Sequence, residues 1–148
     1  STLKVVTNFL ATINLVSIGE ALIVCKKYGI DLKKAYQGIK ISSGNSFVHE
    51  TESKLILNGS YNVGFTMDLV LKDINLFHNL TKNLKIYSKI TPLLNKIFKK
   101  GERKYGSRSL STSIVKLFEQ ESKTKLRYKG FPSKLIDYEP RKKGLEIK

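Results

Sequence analysis

Apolar positions recur along most of the chain three to four residues apart, which is a helical period. The first run is the densest. In "TNFLATINLVSIGEALIVC", Phe9, Ile13, Val16 and Glu20 share one stripe, while Leu10, Leu15, Leu22 and Val24 occupy other sides. A helix apolar nearly all round belongs in the middle of a domain, wrapped by its neighbours. It is expected from about residue 3 to Tyr28, with Gly29 closing it in a left-handed cap. Glu20 needs an ion pair or hydrogen bond if that helix buries it.

Five more helices follow by the same logic. Asp31 caps a short one that ends near Lys40. "SSGNS" makes a turn, and a third helix runs from about Ser46 to Leu57, stopped by "NGS". The fourth spans about Thr66 to Leu84, with Met67, Val70, Leu71, Ile74, Phe77 and Thr81 as its core face. Thr91 and Pro92 supply an N-cap and a first-turn proline for the fifth, whose end Gly101 weakens. Ser111 caps the sixth, "TSIVKLFEQES". From Lys123 onward Gly130, Pro132, Pro140 and Gly144 break every period, so the tail is expected to be extended and to lie on the surface of the body or of a partner. No segment alternates with period two. The chain therefore reads as all-α, about six helices around a long central N-terminal one, with residues 1–122 as the helical domain and 123–148 as an irregular extension.

Composition changes this picture little. With 148 residues and 41% hydrophobic, the chain has the material for one core. The lone Cys25 excludes an internal disulfide and suits a reducing compartment, so a cytoplasmic location is expected. Residues 9–25 come nearest to a membrane span, but Asn14, Gly19 and Glu20 interrupt the stretch and it is short for a bilayer. No membrane partner is expected. The net charge of +15 raises nucleic acid as a partner. Of the 27 basic residues, however, 23 are lysine and 4 arginine, and they are spread along the whole length. Arginine is the residue suited to bidentate phosphate and base contacts. The charge is read as a general lysine bias, with no nucleic-acid partner; a basic helical nucleic-acid-binding module stays as an alternative.

Candidate chemistry is sparse. Lys4 and Asn8 lie one helical turn apart at the head of the first helix. A cation and an amide so placed are either surface decoration or a site in which the lysine moves a proton and the amide holds a substrate. Lys72 and Asp73, taken alone, suit a solvated helix face, and Phe65 suits a core. His49 and His78 have no second metal ligand at convincing spacing, and Cys25 has no evident base, so no metal is expected; the histidines are read as structural or exposed and the cysteine as core.

The order "KVVTN", "GEALIVCKKYGID", "SSGNS", "GFTMDLVLKD", then a proline-led helix and a glycine loop, resembles the C-terminal domain of the β-hydroxyacid dehydrogenases. That family includes 3-hydroxyisobutyrate dehydrogenase and tartronate semialdehyde reductase. The resemblance covers about residues 1–122. It implies an all-α domain that closes over the nicotinamide of NAD or NADP, the dinucleotide being held mainly by an N-terminal Rossmann domain. It implies a small β-hydroxy acid as substrate, Lys4 as the acid/base, and Asn8, Gly44 and Ser46 beside the substrate. Phe65, Lys72 and Asp73 are implied beside the cofactor. A lysine amine acts as a base near neutral pH only where desolvation or a neighbouring cation favours its neutral form. Lys72 is expected to be that cation.

The ten glycines contain no G-x-G, so this chain carries no dinucleotide fingerprint of its own. It is expected to be one half of an oxidoreductase, inactive without the Rossmann half, and part of a homo-oligomer. The alternative within the same fold is a non-catalytic dimerisation domain. Departures from the resemblance are Ser111, where many relatives carry aspartate, and Phe47, where many carry tryptophan.

Overall fold

The computed structural model of the chain describes residues 1–136 and Gly144. Pro140 and the other residues beyond Ile136, Gly144 apart, lie outside the described residues. The helices are α1 (Thr2–Tyr28), α2 (Leu32–Lys40), α3 (Phe47–Asn58), α4 (Met67–Asn83), α5 (Thr91–Tyr105) and α6 (Ile114–Glu121), the last entered through a 3-10 turn at Ser111–Ser113. Among the described residues there is no strand, only an isolated bridge between Thr66 and Leu110.

α1 is the central element, packed by α2, α3, α4 and α6. Its buried face is Phe9, Thr12, Leu15, Val16, Ile18, Gly19, Leu22 and Ile23. Gly19 lets α6 approach closely, because a β-carbon there would stand 3.0 Å from Val115 and 3.1 Å from Phe118. The helix is not wrapped on every side. Leu3, Leu10 and Val24 stay exposed, and Glu20 is exposed too, so it needs no buried partner. Four neighbours cover only part of a cylinder, which is why an apolar helix here keeps an open stripe. By length and composition alone α1, at 27 residues, could cross a membrane; its buried face serves as the core of a packed domain.

The expected caps at the first junctions form. Gly29 sits at φ 92°, and the Asp31 side chain accepts from Lys34 N–H. Ser46 accepts from His49 N–H to start α3. Two others differ. Thr91 is buried in the first turn of α5, and its N–H is met by Ser88 Oγ. Ser111 caps nothing: its N–H bonds to Phe65 O at 2.8 Å inside the loop pairing that also gives Met67 and Asp68 the carbonyls of Ser109 and Ser107. Backbone thus supplies the start of α4, where Thr66 makes no side-chain bond to a helix N–H. Gly101 does not fray α5. It is buried where α5 meets α4 and α6, and a β-carbon there would fall 2.7 Å from Ile114 and 3.3 Å from Met67.

The described part of the tail, irregular and mostly exposed, lies against the helical body. Leu126 is fully buried, Tyr128 N–H bonds to Leu57 O, and Phe131 packs edge-on to Tyr36. What holds it is a buried polar knot. Glu119, placed four residues after Val115 on the inner face of α6, accepts from Tyr61 Oη, from Leu126 N–H at 2.8 Å and from Arg127 at 3.2 Å. Arg127 also donates to Ile56 O and to Tyr61 Oη. Burial, and then the Glu119 carboxylate, push the Tyr61 phenol far above its ordinary range. Tyr61 takes a left-handed backbone, φ 52°, to reach this position. A cavity of about 580 Å³ opens beside this knot, lined by Tyr61, Lys116, Glu119 and Arg127 among others.

Candidate functional site

The head of α1 is where the sequence-derived residues begin to meet. Ser1 caps the helix by accepting from Lys4 N–H at 3.3 Å. Lys4 is exposed, and among the described residues it forms no ion pair. One turn on, Asn8 Nδ2 donates to Asp73 Oδ2 at 3.0 Å, joining α1 to α4. Directly after it Phe9 stacks on Phe77, with ring centres 3.7 Å apart. The apolar stripe of α4 fixes this register: Val70, Ile74 and Phe77 face α1, and Asp73 falls beside them.

α4 therefore does reach the head of α1, but the group it brings there is the Asp73 carboxylate. Lys72, one residue earlier and about 100° around the helix, is exposed and lies in an open depression towards α5, with Asp68, Lys99 and Glu102. The expectation that Lys72 is the cation beside Lys4 is corrected accordingly. Asp68 itself is held below the usual carboxylate range, first by the Thr66 hydroxyl and then by Arg108.

Asn8 and Phe65 line a cavity of about 160 Å³ between α1, α3 and the 3-10 turn, together with Thr12, Val70, Ser111 and Glu52. Gly44 and Ser46 are not there. They border a separate cavity of about 320 Å³ further along α1, with Asn14, Ser17 and Ile18. Between them Asn45 leaves its buried Oδ1 without a protein partner.

Glu52 is the member of this site that sequence patterning missed. It is half-buried, and burial alone pushes its carboxyl from the ordinary 4.5 up to about 7. In "HETESK" it reads as one more polar residue of a surface helix. Only the packing of α3 on α1 shows otherwise. His49, by contrast, is structural. Its Nε2 faces Tyr36 O at 2.9 Å and so carries the proton, while Nδ1 accepts from the Ser53 hydroxyl at 2.9 Å. Burial lowers its pKa, keeping the ring neutral.

The sequence profile described as the NAD-binding domain of NADP-dependent 3-hydroxyisobutyrate dehydrogenase matches residues 1–118. The chain belongs to this 3-hydroxyisobutyrate dehydrogenase-like family. A 2-(hydroxymethyl)glutarate dehydrogenase from Eubacterium barkeri is 31% identical over 118 residues, and an L-threonate dehydrogenase from Haemophilus influenzae is 24% identical. The first alignment covers 79% of this chain and 39% of that relative, and the second 80% and 39%, so the chain spans well under half the length of the relatives it matches. Among solved structures, a 3-hydroxyisobutyrate dehydrogenase from Salmonella typhimurium superposes with a TM-score of 0.72 at 22% identity, covering 80% of this chain and 41% of that one. At that identity the likeness shows the shared helical fold. The profile match ends at residue 118, just before Glu119 and the pinned tail.

Proposed function

We propose that this chain is the helical half of an NAD(P)-dependent dehydrogenase for a small β-hydroxy acid, working with a Rossmann half. Lys4 is its acid/base. The observation that carries the reading is the arrangement at the head of α1 in a chain of this family: an exposed, unpaired lysine one turn from an asparagine that α4 fixes in place. When bound, the nicotinamide supplies the hydride chemistry. This chain's part is the proton. As the hydroxyl carbon is oxidised, the Lys4 amine takes the hydroxyl proton; in the reverse direction its ammonium returns it to the forming alkoxide. Asn8 has one amide hydrogen on Asp73 and keeps a second donor and its carbonyl for a substrate hydroxyl or carboxylate. Closure of the Rossmann half over this open face removes water from the amine. The exposed Lys72, in its open depression, suits a phosphate group of the dinucleotide, and the half-buried Phe65 ring suits an apolar ring edge.

The test is NAD⁺ and NADP⁺ reduction by this chain joined to its dinucleotide-binding half, screened over small β-hydroxy acids. Turnover with one of them that Lys4→Ala abolishes, with cofactor binding kept, supports the reading. No reduction with any of them rejects it.

One observation favours a second use of the same fold. At the turn from α4 to α5, Leu84, Ile86, Tyr87, Ile90 and Leu93 are all exposed, an apolar patch suited to packing against another subunit. Sedimentation of the chain tests it: a dimer that Tyr87→Glu splits supports this use, and a monomer at all concentrations rejects it.

A further inference from the structure

We propose that Glu52 selects the substrate: its carboxylate accepts a hydrogen bond from a second hydroxyl or an ammonium group on the β-hydroxy acid, beyond the hydroxyl that Lys4 serves. The inference rests on the reading above that the head of α1 binds substrate, and it adds the class of acid taken.

The geometry is a cavity with one unmet need. Glu52 enters it from α3, and Asn8 and Thr12 enter it from α1. The Thr12 hydroxyl is already given to Asn8 O at 3.0 Å. Phe65 and Val70 are apolar. No lysine, arginine or histidine lines the space from α1, α4 or the 3-10 turn, and on α3 itself His49 is turned to Tyr36 and Ser53. Among the described residues the Glu52 carboxylate has no hydrogen bond and no ion pair, and burial is the sole influence on its proton affinity. A carboxylate partly withdrawn from water without a protein partner is destabilised. A ligand donor placed in the cavity removes that cost.

Three classes of acid then separate. One with a methyl group at this position leaves the carboxylate desolvated and unpaired. One with a second carboxylate brings like charges together. One with a further hydroxyl or an ammonium group satisfies it. A site built to hydrogen-bond such a group rejects the analogue lacking it far more strongly than an apolar pocket rejects a size change. The volume, about 160 Å³, holds on the order of five water-sized groups at about 30 Å³ each, enough for the distal end of a four-carbon acid. The inference therefore favours a polyhydroxy acid of the threonate type over a dicarboxylate of the hydroxymethylglutarate type, although the relative named for the dicarboxylate shares more identity with this chain.

Two measurements test this. The first follows the Glu52 carboxyl by ¹³C NMR in the chain itself, with L-threonate, 3-hydroxyisobutyrate and glutarate as probes. A donor stabilises the ionised form. L-Threonate should lower the titration midpoint, and the other two should not. A midpoint that L-threonate leaves in place overturns the proposal. The second compares kcat/KM for L-threonate and 3-hydroxyisobutyrate in the chain joined to its Rossmann half. In Glu52→Leu the ratio should fall about 100-fold, carried by KM, with Glu52→Gln falling less. An unchanged ratio overturns the proposal. Absence of all hydride transfer rejects the dehydrogenase reading instead, and the carboxyl titration still decides the role of Glu52.

Discussion

Two carboxylates sit under the surface of this domain, and they are treated in opposite ways. Glu119 is buried in a complete shell: a phenol, a backbone N–H and a guanidinium all point at it. Glu52 is half-buried beside Asn8 with no hydrogen bond or ion pair among the described residues, and burial drives its carboxyl up to about 7. The first arrangement pins a tail to a helix bundle. The second is the arrangement proposed above as a substrate contact. Polar satisfaction, more than burial, separates the scaffold from the proposed site. The same contrast holds for the cations: Arg127 is consumed by four acceptors, while Lys4 and Lys72 are left open.

The largest expected effect is at the open end. Lys4→Ala should cost about 10²–10⁴ in kcat for hydroxy acid oxidation, the range of a lost general acid/base, with cofactor affinity unchanged. Stopped-flow reading of reduced nicotinamide measures it. Next is the closed end. Glu119→Ala leaves Tyr61 and Arg127 with unmet groups around a buried hole and should lower stability by about 3 kcal/mol, read from urea denaturation. If Glu119→Ala were neutral, the knot would not be structural.

Glu52→Gln should act with the opposite sign. Folding raises the affinity of Glu52 for its proton, from a carboxyl value of 4.5 to about 7. The folded state therefore holds more protons than the unfolded one between those values, and stability is lost as pH rises through that window. Replacing the acid by its neutral amide removes the loss. The variant should be more stable than the parent above neutral pH by about 1 kcal/mol, discounted for partial exposure, and equal to it near pH 4. Denaturation curves across this range check the crossover. Smallest of all is Arg108→Ala. The Arg108–Asp68 pair, at 3.2 Å, lies on the open surface, and the thermal midpoint should not move.

Most of the helical plan was legible because it is written locally. Gly29 and Asp31 mark an end and a start through backbone and cap chemistry that needs no tertiary partner. The face of α4 follows from its own spacing, from Met67 to Thr81. Lys4 and Asn8 were visible as a pair one turn apart. What could not be read depends on distant chain. Tyr61 and Glu119 are 58 positions apart, and their bond exists only once α6 lies on the α3–α4 loop. A clue was present: Glu119 falls on the buried stripe of α6 with Val115 and Phe118, where a charge requires a partner. Glu52 offered no such clue, since its helix carries polar residues on several sides and only the tertiary packing half-buries it. Lys72 was misplaced for a related reason: adjacent residues on a helix face different neighbours, and the phase of α4 put Asp73, not Lys72, on α1.

The most direct test is Lys4→Arg, with hydroxy acid oxidation measured in this chain joined to its Rossmann half. Arginine keeps the positive charge and the donors but does not give up its proton in proteins. The account predicts that cofactor and acid still bind and that hydride transfer is lost. Turnover at the parental rate would contradict it, because an amine that need never be neutral is not the base.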